Sequence, residues 1–158
     1  MKKLFFNSLC LDEEIPPSIF DVDGGVIAYK RADGSVSHCE LYSGAELTYV
    51  VYIGEWPAPS ITAQHALKYP GCKFEIKNHL NEKEKNVITR HVCLANGECE
   101  FVIEEILNRA GDIVRENRFD RENNFIGALE YKYDSSGEII LTREIAANGD
   151  IISESEEM

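Results

Sequence analysis

The side chains best suited to metal or nucleophilic chemistry in this chain are its four histidines and five cysteines. His91 and Cys93 alternate on one predicted strand, and Cys99 follows across a predicted turn, so these three form the best candidate metal cluster. A structural zinc site takes four ligands, and no fourth ligand is evident. Buried, inert cysteines are the favoured alternative. We therefore expect no metal and no other cofactor.

Cys72 is a second candidate because it lies in a predicted loop beside a lysine, whose charge would lower the pKa of a thiol, and an inert cysteine is again the favoured alternative. His38 and Cys39 are adjacent, so on a strand they point to opposite faces and cannot form a nucleophile–base pair directly. Glu104 and Glu105 diverge for the same reason. The sequence also contains no GxGxxG, P-loop, GxSxG or HExxH motif. We expect a protein that is not an enzyme.

The net charge of −12 is unevenly distributed along the chain. Residues 1–90 hold 12 acids and 10 bases, whereas residues 91–158 hold 16 acids and 6 bases. A negative field of this kind disfavours nucleic acid and anionic membranes as partners, and it favours a basic protein. Simple solubility is the alternative explanation.

The N-terminus begins like a secretory signal, with Lys2 and Lys3 before Leu4-Phe5-Phe6. The apolar run stops at Asn7, short of the ~7–15 apolar residues that a signal needs. No segment reaches the ~20 apolar residues of a membrane span. An odd, scattered set of cysteines without a CxxC pair fits a reducing compartment. We expect a cytoplasmic protein.

A turn-and-strand unit recurs through the C-terminal half: an apolar residue, a turn closed by glycine, an acid and then β-forming residues. A spacing of 12 to 14 residues leaves about eight for each strand. Strands joined this tightly pair antiparallel. The predicted fold is mainly β, an antiparallel up-and-down meander that forms an open sheet, a sandwich or a partial barrel. The predicted turns centre on Gly97, Gly111, Asn124, Gly137 and Gly149.

Alternation along the repeat predicts which side chains share a face. Phe125, Leu129, Tyr131 and Tyr133 fall on one side of their strand, while Glu130 falls on the other. This pattern predicts a sheet with one core face and one wet, negative face.

The N-terminal half combines short hairpins with a proline-rich loop. The run 47–53 is apolar on both faces and predicts a central strand. Trp56-Pro57-Ala58-Pro59 interrupts the strands, since proline has no N–H for the ladder. Ser60 is expected to cap one short helix near 60–69. The N-terminal hairpins are expected to form a second sheet packed on the first.

The predicted organisation is one domain over residues 1–158. Its parts are N-terminal hairpins and the proline-rich loop at 1–90, an acidic β-meander at 91–154 and a disordered acidic tail at 155–158.

The segment Tyr133-Asp134-Ser135-Ser136-Gly137-Glu138-Ile139 resembles a YD repeat of the Rhs type, and Phe119-Asp120 is a weaker copy. The resemblance covers about a third of the chain. Rhs proteins use many such hairpins to build large shells around toxin domains. In a chain of 158 residues the resemblance implies β-hairpin geometry rather than a shell. Plain turn chemistry, in which Asp caps the turn and Gly closes it, is the alternative.

In general character the chain resembles bacterial toxin-immunity proteins. The predicted function is inhibition of a cationic, nucleic-acid-targeting bacterial toxin through an acidic surface, because complementary fields speed association. The alternative is a structural or assembly module that pairs through its sheet edges, near the apolar Ile151-Ile152. The oligomeric state stays open, and a homodimer is compatible with this alternative.

The predicted partner-binding residues lie on the polar side of the repeat, with one exception. Trp56 of the proline-rich loop is a candidate interface anchor, and packing beneath its prolines is the alternative. The acidic candidates are Glu104, Glu116, Asp120, Glu122, Glu130 and Glu144.

Overall fold

The computed structural model describes residues 1–9 and 11–157, without the side chain of Val22. This part of the chain forms eleven strands and two helices, which confirms the mainly β prediction. The helices are α1 (Pro17–Asp23) and α2 (Pro59–Lys68). The strands are β1 (Lys2–Phe6), β2 (Gly24–Lys30), β3 (Val36–Ser43), β4 (Glu46–Ile53), β5 (Phe74–Glu82), β6 (Lys85–Cys93), β7 (Cys99–Leu107), β8 (Ile113–Asp120), β9 (Phe125–Tyr133), β10 (Ile139–Ala146) and β11 (Ile151–Glu156).

The described strands lie side by side in sequence order in one open sheet, with β1 and β11 at its edges. Pairing is antiparallel except between β4 and β5, where Val50 lies beside Phe74 in a parallel register. A parallel pair needs a crossover connection, and α2 supplies it. The meander is therefore confirmed. Of the predicted alternatives the open sheet is the one observed, and a second N-terminal sheet is wrong, because the N-terminal strands continue the same sheet.

The helix predicted near 60–69 is α2. It begins at Pro59, where a proline costs no hydrogen bond. The helix α1 was not predicted from the sequence, and it also begins at a proline, Pro17. Neither helix of the described residues is long and apolar enough to cross a membrane.

The hairpin turns of the repeat share one geometry, in which the fourth residue adopts a positive φ. Gly97 and Gly149 both have φ near 89°, a region open to glycine at little cost. In the degenerate copy this position is Asn123, with φ 66°, and not the predicted Asn124. Asn tolerates this conformation better than most residues. With Asn123 as a centre, the turns are spaced alternately by 14 and 12 residues.

A β-bulge changes the predicted faces of β9. Arg118 pairs with Gly127 and Phe119 pairs with Phe125, so Ile126 is the extra residue. Phe125 therefore lies on the face opposite Leu129, against the prediction, and its ring packs 5.9 Å from that of Phe119. Alternation alone does not reveal an inserted residue.

The chain divides into two compact units. Unit 1 comprises Met1–Lys77 and Cys93–Glu98, and unit 2 comprises Asn78–Val92 and the residues from Cys99 onward. The organisation as a single domain stays a prediction.

Unit 1 has two buried apolar clusters. Val51 belongs to one and its neighbour Val50 to the other, so β4 is buried on both faces, as predicted. The only buried residue of α2 is a histidine, His65. The first cluster is Phe6, Val26, Ala28, Cys39 and Val51, and the second is Val50, Tyr69, Phe74, Ile76 and Cys93.

Unit 2 contains strands and turns but no helix among its described residues. Its buried apolar side chains are few and small to medium in size, and β11 is exposed at every position. Glu156 pairs with Leu141, so the predicted disorder of the tail is wrong for Ser155 and Glu156, because strand pairing orders them. Met158 lies outside the described residues.

Candidate functional site

The acidic residues predicted to bind a partner do not share one face of the sheet. Glu116 and Glu144 each lie directly opposite Leu129. Glu130 follows Leu129 in sequence and therefore points to the other face, as does Glu104. Both faces carry acid, so the prediction of one wet, negative face is wrong. The face of a strand relative to its neighbour is set by the register that the turn imposes.

Two further predicted residues, Asp120 and Glu122, lie at the β8–β9 turn. The Asp120 carboxylate accepts the backbone N–H of Glu122 at 3.0 Å and that of Asn124 at 2.9 Å. These hydrogen bonds hold the pKa of Asp120 below its usual value. Asp120 therefore caps the turn, while Glu122 is 64 % exposed and available to a partner.

A row of alternating charges crosses one face of unit 2, and we call it the charge ladder. It consists of Arg115, Glu130, Arg143 and Glu154, which lie opposite one another on β8 to β11. The N···O distances along the row are 3.3, 3.9 and 2.7 Å. Glu130 therefore lies between two guanidinium groups, which compensate its charge.

The charge ladder continues onto β7 through an amide. The Arg115 Nε–H donates to Asn117 Oδ1 at 2.7 Å, and Asn117 Nδ2 donates to Glu104 Oε1 at 3.1 Å. Glu104 and Glu130 are thus held inside a polar network that spans five strands. Their first role is to join strands.

The opposite face of unit 2 holds Glu116 in a similar way. Its carboxylate is 14 % exposed and lies 3.1 Å from Arg118. The neighbouring Glu105 pairs with Arg90 at 2.6 Å. Glu144 differs because it is exposed. Within the described residues its carboxylate accepts one side-chain hydrogen bond, from the Ser153 hydroxyl at 3.2 Å.

The most strongly acidic surface is the β10–β11 hairpin, residues 138–157, which we call the acidic edge. It carries six acids and one base, Arg143. Its last strand pairs with β10 alone among the described strands, which leaves one row of backbone groups open. Sequence reasoning missed this concentration because it treated the acid as spread along the repeat. The acids are Glu138, Glu144, Asp150, Glu154, Glu156 and Glu157.

Trp56 lies in unit 1 and is half-buried. Its side chain packs against the second apolar cluster. The Trp56-Pro57 peptide bond is cis. Packing accounts for this tryptophan, which lies apart in sequence from every acidic candidate.

A second group of polar side chains lies in unit 1 around His65. The Nε2–H of His65 donates to the Cys72 carbonyl at 2.8 Å, so Nδ1 accepts from the Tyr52 hydroxyl at 2.7 Å. Burial lowers the pKa of His65. The ring is therefore neutral and joins α2 to β4 and to the turn after the helix.

Glu40 is a buried carboxylate among tyrosines in the same unit. The Tyr29 hydroxyl donates to it, and burial followed by this hydrogen bond raises the pKa of Tyr29. Tyr69 makes no hydrogen bond of normal geometry in the described chain, although Glu40 lies close enough to add to the effect of burial in raising its pKa. The Lys68 ammonium lies 5.5 Å from the Tyr29 ring centre and 5.0 Å from that of Tyr69.

The cysteine candidates do not form a reactive or metal site. Burial raises the pKa of Cys72, contrary to the predicted lowering. No group of three or more metal-ligating side chains occurs within the described residues, so His91, Cys93 and Cys99 do not assemble one. Cys93 is fully buried in the second apolar cluster, and Cys10 lies outside the described residues.

The Tyr-Asp pair of the repeat has a local role in the hairpin. Tyr133 donates its hydroxyl to the Ile113 carbonyl at 2.6 Å. Asp134 accepts the backbone N–H of Ser136 at 2.8 Å and that of Glu138 at 3.0 Å. The tyrosine ties the end of β9 to β8, and the aspartate caps the turn.

Comparison of the chain with known protein families, with curated proteins and with solved structures finds no match.

Proposed function

We propose that the protein binds a cationic protein through the acidic edge and inhibits it, as an immunity protein against a bacterial toxin that acts on nucleic acid. One observation carries the proposal. The outermost hairpin of unit 2 holds six acids against one base, and its last strand, which carries Glu154 and Glu156, is exposed at every residue.

The proposed mechanism combines charge with an open strand. A basic cleft that binds phosphate attracts the acidic edge, and the attraction speeds the encounter. The open backbone row of β11 then accepts a strand from the partner, as in other complexes formed by strand addition. The protein itself has no catalytic role and binds neither nucleic acid nor membrane, and it acts in the cytoplasm.

The test uses the toxin candidate encoded beside this gene, purified and immobilised, with the full chain as analyte. A 1:1 complex is expected, with an association rate that falls steeply between 50 and 500 mM NaCl (concentrations chosen for the assay). The variant Glu144→Lys/Glu156→Lys is expected to lower that rate on the order of tenfold. Asp21→Lys/Asp23→Lys on α1, which changes the net charge by the same amount, is the matched control and should leave that rate nearly unchanged. Equal effects of the two changes would sink the proposal.

A second candidate function is assembly through the same edge. Ile151 and Ile152 are 56 % and 61 % exposed on β11, and such an apolar edge strand pairs readily with another copy. Light scattering coupled to size exclusion separates the two functions. A dimer that survives 500 mM NaCl and is lost in Ile152→Lys favours assembly, whereas a monomer at all salt concentrations favours the inhibitor.

A further inference from the structure

Three aromatic rings form a row across β2, β3 and β4 of unit 1. Tyr29 lies opposite His38, and His38 lies opposite Tyr52. The Tyr29 and His38 rings stack with centres 4.4 Å apart, and the His38 and Tyr52 rings lie 5.8 Å apart. The imidazole is thus fixed between two aromatic faces.

The His38 ring is left with one unsatisfied polar atom. The residue is 6 % exposed, and its Nδ1 lies 3.2 Å from Ser37 Oγ. Its Nε2 is buried without a hydrogen-bond partner in the described chain. Buried polar atoms are nearly always hydrogen-bonded, so an orphan of this kind calls for a partner that the protein does not supply.

His38 lines a cavity of about 250 Å³ between the sheet and α2. Tyr52 and Tyr69 line it as well, and Ile53 and Ile61 give it an apolar side. At about 30 Å³ for each water molecule, the volume corresponds to roughly eight waters. It is too small for a nucleotide and large enough for a small organic molecule.

The charged side chains that line this cavity are cations, in a protein with a net charge of −12. Lys68 is placed over the rings of Tyr29 and Tyr69. Arg31 is held by hydrogen bonds to Ser35 Oγ at 3.2 Å and to a backbone carbonyl at 3.1 Å. A ligand that meets two cations and an apolar wall needs an anionic end and a hydrocarbon body.

We propose that this cavity binds a small organic carboxylate. The carboxylate lies against Lys68 and Arg31, beside the His38 ring that lines the same cavity. The hydrocarbon body lies between Ile53 and Ile61. This site is separate from the acidic edge and does not depend on the proposed inhibitor function.

The test titrates the full-length protein, labelled with ¹⁵N in its histidines, with sodium butyrate, sodium benzoate and inorganic phosphate. Butyrate or benzoate is expected to shift the His38 Nε2 resonance with saturation, and phosphate is expected to leave it unchanged. Lys68→Met should lower the affinity for the organic acid by about tenfold. Lys85→Met, which removes the same charge from an exposed position in unit 2, should not.

Two results would overturn the proposal. One is the absence of a saturating His38 shift with either acid, and the other is an equal response to inorganic phosphate, which would show a site for anions in general. Because the Lys68 side chain is exposed, its variant is expected to keep the fold. Arg31→Gln, which removes the second cation from an exposed position and keeps the His38 resonance, provides a second check, since it should also weaken binding while the far-ultraviolet circular dichroism stays unchanged.

Discussion

The two units hold their strands together by different means. Unit 1 buries Phe74, Ile76 and Val50 almost completely beneath or beside α2. Unit 2 has no helix among its described residues and relies on strand pairing, capped turns and the charge ladder. Apolar burial contributes about 25 cal/mol per Å², whereas an exposed ion pair contributes about 0–1 kcal/mol. Unit 1 is therefore expected to be the more stable part.

The difference has a functional consequence. A unit without a helix leaves its edge strand β11 accessible to a partner. A unit with a packed helix can form a pocket that opens to solvent, as between α2 and the aromatic row. The two binding functions that we propose, one for a protein and one for a small molecule, thus fall to different parts of the chain.

The largest expected effect comes from the core of unit 1. Phe74→Ala removes a fully buried ring that contacts Tyr52 and His65 and should lower the free energy of unfolding by about 3–5 kcal/mol. Phe119→Ala removes a half-buried ring from unit 2 and should cost about 1 kcal/mol. Urea denaturation with hydrogen exchange in each unit measures both. Equal losses would contradict the division of stability drawn above.

The next effect compares two glycines with the same backbone conformation. Gly97 and Gly149 both have φ near 89°, so alanine costs about 1–2 kcal/mol at either position. A Cβ at Gly97 would also lie 2.3 Å from Thr62 Cγ2, whereas nothing lies within 4 Å at Gly149. Gly97→Ala should therefore cost about 1–3 kcal/mol more than Gly149→Ala.

Thr62→Ser provides the control for the glycine pair. It removes the methyl group that the new Cβ would meet and keeps the hydroxyl, which donates to the Ala58 carbonyl at 3.1 Å. Combined with Gly97→Ala, it should recover most of the excess loss in thermal or urea unfolding. A loss that persists in the double variant would assign the cost to the backbone alone.

A smaller effect is expected on acidification. Burial lowers the pKa of His38 and His65 in unit 1, so the unfolded chain binds protons more readily than the folded one. The two histidines contribute fully to stability above the pKa of an unfolded histidine, about 6.5. This contribution is lost as the pH falls from that value through the lower pKa values of the folded state. Hydrogen exchange protection in unit 1 should decrease from pH 7.5 to 5.5. His65→Gln should flatten this dependence, and an unchanged slope would exclude His65 as its source.

The sequence predicted the strands and most turns because their signals are local. Gly97 and Gly149 indicate turns because glycine readily adopts the positive φ that these turns require. The apolar composition of residues 47–53 indicates a central strand. The predicted face of Phe125 was wrong because it depends on a bulge in β9. The prediction that Glu116 shares one face with the other acidic candidates was wrong because the face depends on cross-strand register. The cavity could not be predicted, since it needs His38 and Lys68 together, 30 positions apart.

The smallest effect concerns the charge ladder, where Arg143 contacts both Glu130 and Glu154. Arg143→Gln keeps a polar, although shorter, side chain and removes the cation between two carboxylates. The free energy of unfolding of unit 2 should fall by about 0.5–1 kcal/mol at low salt, and the loss should shrink in 0.5 M NaCl, a concentration chosen because the Debye length there is about 4 Å. Arg121→Gln, in an exposed pair beside Glu122, should change stability less. If both substitutions cost the same at every salt concentration, the ladder does not act as a cross-strand element, and unit 2 depends on backbone pairing and turn caps alone.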